Sequence, residues 1–161
     1  FRFDLADDNE SSRLYRGPSA FSEPETRNVK ALVEQHEPNW FADLHSGARC
    51  IVYPRSVAPT DAPPLPPQDL QAHIDLASVY AQAVGQVSGT VPAVTQGFDF
   101  TATGGTGHDW VYARTRPSGA SPTLAFMIEW SAEPVPLPPV MDGIVREVGA
   151  GLVAMFLEVL S

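Results

Sequence analysis

Trp40-Phe-Ala-Asp-Leu-His-Ser-Gly-Ala-Arg-Cys-Ile-Val-Tyr-Pro54 holds two short apolar runs, Trp40 to Leu44 and Cys50 to Tyr53. They flank His45-Ser46-Gly47. Runs of this length, rich in aromatic and β-branched residues and bounded by Ser, Gly and Pro, predict two strands. A buried strand that stops at His-Ser presents an imidazole at a sheet edge. Such a His packs, caps or serves chemistry. Period two places Asp43 and His45 on one face of the first strand.

A chain of 161 residues suits one domain with a sizeable core, and 43% hydrophobic against 18% charged residues reads as globular. Sixteen prolines predict long irregular connections. A net charge of −9 and a single lysine, Lys30, argue against a nucleic-acid surface, which needs clustered Lys and Arg. Cys50 is the only cysteine, so no internal disulfide forms. It reads as a buried strand position, compatible with a secreted or a cytoplasmic life. No apolar run approaches the roughly 18 residues of a membrane span. The start, Phe1-Arg-Phe-Asp4, has neither a signal peptide nor a Met and reads as a cut into a longer chain.

Outward from the opening stretch, residues 1–20 are polar and turn-rich. Ser22, Pro24 and Glu25 predict a helix start with a capping box. Val29, Leu32 and Val33 mark its buried face, and Pro38 closes it. Residues 55–68 carry five prolines and predict an extended surface loop within the domain. A helix follows over Asp69 to Val84, with Leu70, Ile74, Ala77, Ala81 and Val84 on one stripe. His73 lies beside that stripe as a partly buried or surface residue. Gly85 to Gly97 shows no period. In Phe98-Asp-Phe-Thr-Ala-Thr-Gly-Gly-Thr-Gly-His-Asp-Trp110, three glycines in four positions relax the backbone beside a turn or pocket. Thr106 or Asp109 caps a short helix there. The stretch is no phosphate loop, because no Lys-Ser/Thr follows it. Thr123 to Trp130 reads as an apolar strand whose one charge, Glu129, either meets solvent at the strand end or is kept for chemistry. The last helix runs from Asp142 to Leu160, with Ile144, Val148, Leu152, Phe156 and Val159 as its stripe and Arg146 and Glu147 as surface charges.

Asp43-Leu-His-Ser46, Tyr53-Pro54, Tyr15-Arg-Gly-Pro18 with the run to Thr26, Gly104-Gly105 before Asp109-Trp110, and Phe126-Met-Ile-Glu129 together resemble the zinc carboxypeptidase family of metallopeptidases. The resemblance implies an α/β fold: a mixed, mostly parallel sheet flanked by helices. Residues 1–161 would be a single, partial domain, the C-terminal half of the family's catalytic domain. It implies one zinc ion with His45 as the last of three ligands. Asp43, on the same strand face, either orients that imidazole or bonds to backbone or a basic neighbour. Glu129 is the expected general acid and base. Ser46, Phe100, Gly104, Gly105, His108 and Asp109 are the expected substrate-binding residues.

The family's Tyr four residues before the Gly pair is Phe100 here, without a hydroxyl. His108, or Gly107 if the loop is shifted, takes the pocket-floor place. That predicts no preference for basic C-terminal side chains, and acidic ones gaining below about pH 6.5. The first two ligands, from a His-x-x-Glu ahead of Ser22, and the Asn-Arg pair for the terminal carboxylate are not in the sequence. The expected substrates are peptide or protein C-termini, cleaved by an intact parent. The chain alone is expected to be inactive, with the N-terminal half of the domain as its partner. A deacylase on the same scaffold and a non-catalytic binding module are the alternatives.

Overall fold

The two apolar runs form β1 (Trp40–His45) and β2 (Ala48–Tyr53), but they do not pair with each other. β4 (Leu124–Ser131) lies between them, and with β3 (Ala93–Gln96) the sheet order is β1-β4-β2-β3. β4 is parallel to β1 and antiparallel to β2, and β2 is parallel to β3, so the sheet is mixed and mostly parallel. The computed structural model describes residues 3–12, 15–114 and 118–160.

β4 takes the interior position because it is apolar on both faces, and such a strand needs cover on both. Phe126 and Ile128 face one core with Ile51, Leu76, Tyr80 and Met155. Ala125 faces a second core with Val33, Leu65, Val111 and Tyr112. The first core lies under α2 (Pro67–Ser88) and α5 (Pro138–Leu160). The second lies under α1 (Pro24–His36) and α4 (Gly107–Ala113). α3 is a single turn, Gly97–Phe100. α2 and α5 approach closely at Gly151, where a Cβ would stand 2.4 Å from the Tyr80 ring.

Several local expectations change. α1 has Glu23, not Ser22, at its N-cap, with no side-chain cap, and the Ser22 hydroxyl donates to Glu23 Oε1 instead. Val33 is buried, while Val29 and Leu32 stay exposed. The proline-rich stretch is not wholly superficial: Ser56, Val57 and Leu65 are buried, and its last residues open α2. The region read as irregular contains the end of α2 and all of β3. α5 buries Gly151 and Met155, and Phe156 is 52% exposed, so its buried stripe is rotated from the expected one.

His73 is fully buried rather than beside the surface. Its Nδ1–H donates to the Asp69 carbonyl (2.7 Å), and its Nε2 accepts from the Ala125 amide (3.2 Å). The β2–β4 ladder runs only to the Val52–Met127 pair, so the Ala125 amide lies past the end of that pairing. The imidazole replaces a strand there. Burial pushes the His73 pKa down, against the pull of Asp69, and burial does the same to His108. A histidine whose folded pKa is depressed takes a proton more readily when unfolded. Stability is therefore full above about pH 6.5 and falls as pH drops below it, by up to roughly 1.4 kcal/mol per pH unit for each group. Urea midpoints at pH 7.5 and 5.5 test this by difference: His45, whose pKa is raised, works the other way, so the drop in midpoint on acidification should be smaller in His73→Asn than in wild type. The same change with pH in variant and wild type would contradict it.

Candidate functional site

The β1–β4 register sets His45 opposite Glu129 and Asp43 opposite Met127. Cys50 of β2 stands opposite Glu129 on the other side. Period two puts Asp43, His45 and Glu129 on the sheet face that carries α1 and α4. Glu129 is 9% exposed, and its Oε2 is buried with no hydrogen-bond partner among the described residues. Gly47, at φ +138°, passes over this carboxylate: a Cβ there would lie 3.8 Å from Oε2. The Gly47 amide donates to the Ser131 carbonyl (2.8 Å) and ties the turn to the end of β4.

His45 Nε2 lies 3.0 Å from Asp43 Oδ2, an ion pair when the ring is protonated, so the basic neighbour of Asp43 is His45 itself. Asp43 beside the ring raises the His45 pKa, burial opposes it, and the charge of Glu129 adds to the rise. The same pairing lowers the Asp43 pKa against burial. The Ser46 hydroxyl donates to the Pro134 carbonyl (2.8 Å), which fixes the loop after β4 against the His-Ser turn.

The glycine-rich stretch ends in a buried polar cluster. Both Asp109 carboxylate oxygens accept from the Ser56 amide (3.2 and 2.9 Å), and Ser56 Oγ lies 2.9 Å from His108 Nε2. Ser56, His108 and Asp109 are each almost wholly buried. Thr106 is the N-cap of α4, as expected, but its hydroxyl caps no helix amide and reaches Ser56 Oγ (3.5 Å). Burial pushes the His108 pKa down, with Asp109 and Asp43 pulling the other way. At neutral pH His108 therefore carries no positive charge, and the acid-dependent attraction expected from its ordinary pKa is displaced to lower pH.

Gly105 and Gly107 line a cavity of about 490 Å³ with Asp43, Phe41 and Trp110, while the buried His108 and Asp109 are not among its lining residues. Gly104 is buried, and Phe100, 36% exposed as a residue, ends α3. Sequence reading missed Ser56, a serine in a proline-rich loop with no period to mark it. It also placed Glu147 at the surface, whereas Arg49 Nη2 donates to Glu147 Oε2 at 2.7 Å and ties β2 to α5.

Residues 1–144 match the family model for zinc carboxypeptidase. The chain belongs to the zinc carboxypeptidase family. Among solved structures, thrombin-activatable fibrinolysis inhibitor shares the fold with a TM-score of 0.74 and 18% identity, over 94% of this chain and 38% of that one. The bovine thrombin-activatable fibrinolysis inhibitor, solved in complex with tick carboxypeptidase inhibitor, gives 0.76 and 16%, over 98% of this chain and 52% of that one. This chain thus spans about half, or less, of the length of these two structures. Among the described residues no group of three His, Cys, Asp or Glu side chains is placed to hold a metal ion.

The buried Ser56–His108–Asp109 cluster has a measurable worth. Asp109→Ala strips the buried Ser56 amide of its acceptor, an unsatisfied donor costing about 1–3 kcal/mol. Asp109→Asn keeps one oxygen and should cost less. Denaturant midpoints check the order, and equal midpoints for both variants and the wild type would refute it.

Proposed function

We propose that these residues supply the last metal ligand and the proton-transferring carboxylate of a zinc-dependent carboxypeptidase that removes C-terminal residues from peptides. The observation that carries this is Glu129: a buried carboxylate oxygen without a partner, in register with a strand-end histidine. Leaving a buried charged group unpartnered costs folding free energy, and such exceptions gather at functional sites.

The residues present fit zinc in kind. His45 offers an imidazole nitrogen, and the Asp43 carboxylate stands 3.0 Å from its Nε2, the kind of neighbour that supports a ligating imidazole. The remaining ligands are assigned to residues outside this chain, since a catalytic site needs three. Zinc held there would lower the pKa of a water towards about 7 and polarise the scissile carbonyl. Glu129 takes a proton from the attacking water and returns it to the leaving amine. The cavity lined by Gly105, Thr106 and Gly107 receives the substrate's terminal side chain, with Gly104 and His108 buried behind it. Ser46 fixes the turn that carries His45. A β1 edge that no described strand covers, with apolar Leu44 exposed beside it, supports completion of the sheet by further chain of the same domain.

Phe100 favours one other reading. A phenyl ring there cannot donate the hydrogen bond that a tyrosine would, which suits a module that binds without cleaving. The full-length protein separates the readings. With zinc bound, wild type should release C-terminal residues from peptides, and Glu129→Gln should retain zinc while losing roughly 10²–10⁴-fold in rate. Near-normal turnover by that variant would remove Glu129 from the mechanism. Zinc binding without hydrolysis by the wild type would favour the binding module, and cleavage of acyl-amino acids in place of peptides would favour a deacylase.

A further inference from the structure

We propose that Asn9 is an acceptor for N-linked oligosaccharide, displayed on an exposed turn of the folded chain. The proposal stands apart from the zinc reading. Of the three asparagines, only Asn9 is followed at the second position by a hydroxyl residue, as Asn9-Glu10-Ser11. Asn28 precedes Val29-Lys30, and Asn39 precedes Trp40-Phe41. Asparagine, any residue but proline, then serine or threonine is the acceptor pattern of N-glycosylation, and it needs a surface loop. Asn9, Glu10 and Ser11 are all exposed.

The turn is held on both sides of the asparagine. The Asn9 amide donates to Asp7 Oδ1 (2.9 Å), the Ser12 amide to the Asn9 carbonyl (2.9 Å), and the Arg16 amide to the Asp7 carbonyl (2.9 Å). The Ser11 amide donates to Asn9 Oδ1 (3.1 Å), which closes an Asx turn. That closure uses only the carboxamide oxygen. An aspartate would serve it equally, so turn formation alone does not account for an asparagine here. Among the described residues, no hydrogen bond uses Asn9 Nδ2 or Ser11 Oγ. These are the two groups a transferase engages, the nitrogen as acceptor and the hydroxyl as the mark it reads. The transfer involves no redox step. Nδ2 attacks C1 of the first sugar of a polyprenyl-diphosphate-linked oligosaccharide. The Nδ2–C1 bond forms and the C1–O bond to phosphate breaks. Polyprenyl diphosphate leaves with the electron pair, and one Nδ2 proton passes to a base of the transferase.

The test incubates the folded full-length protein with an oligosaccharyltransferase and its lipid-linked oligosaccharide, and maps the product by peptide mass spectrometry. Wild type should gain a glycan on Asn9 and none on Asn28 or Asn39. Peptide N-glycosidase should release it and leave an aspartate at that position. Ser11→Thr should keep the transfer, and Ser11→Ala should lose it. Asn9→Asp, which retains the oxygen that closes the turn, should take no glycan. An unmodified wild type, beside a control Asn-x-Ser peptide that is modified, would overturn the proposal. So would transfer to the unfolded chain alone, or transfer that survives Ser11→Ala.

Discussion

The position of β4 between β1 and β2 constrains everything at the candidate site. Crossing from β1 to β2 means stepping over two strand spacings, about 9.6 Å. His45 to Ala48 is three steps of at most about 3.6 Å, so the connection has little slack. It must run nearly straight across the end of β4. The residue it crosses is Glu129, and the residue that crosses is Gly47, at φ +138°. The short turn therefore does two things at once: it ends β1 at His45 and roofs the carboxylate opposite. A longer loop would satisfy the same topology without covering Glu129.

This roof makes the treatment of the other acids informative. Asp109 accepts from a buried amide, Asp69 Oδ2 from the Tyr112 hydroxyl at 2.7 Å, and Glu147 from Arg49. Asp43 takes the His45 ring. Glu129 Oε2 alone is buried and unpartnered among the described side-chain carboxylate oxygens. Its neighbour Cys50 does not compensate. Burial, and then the charge of Glu129, push the thiol up to about 11, so it stays neutral and adds no second negative charge. The fold supplies partners for carboxylates that hold elements together and withholds one from the carboxylate in register with His45.

How far this was legible in the sequence depends on what each signal measures. β1, β2 and β4 were readable as apolar runs, and the Glu ending the third was conspicuous by its charge. Their order was not readable, because pairing depends on which strand needs cover on both faces. Phe126 and Ile128, fully buried, settle that only in three dimensions. β3 has four residues and no alternation strong enough to stand out. His73 was misplaced for a related reason: its role is to satisfy an amide past the end of a ladder, and ladder ends leave no trace in composition. Motif resemblance pointed to His45 and Glu129, which the β1–β4 register sets side by side, but not to Ser56, whose backbone amide donates to Asp109.

The helices show two separate ways for a stripe to mislead. On α5 the large apolar residues suggested one face, yet the contact with α2 is made where Gly151 admits the Tyr80 ring. A hydrophobicity pattern scores side-chain size and cannot register that the absence of a side chain sets the closest approach. On α1 the face was read correctly, but Val33 is covered while Val29 and Leu32 remain open beside Trp40, Phe41 and Leu44. Amphipathic spacing states which side of a helix prefers to leave water; it does not state how many neighbours are there to receive it. The first error is one of geometry and the second one of supply. Only the first would be repaired by a better reading of these residues.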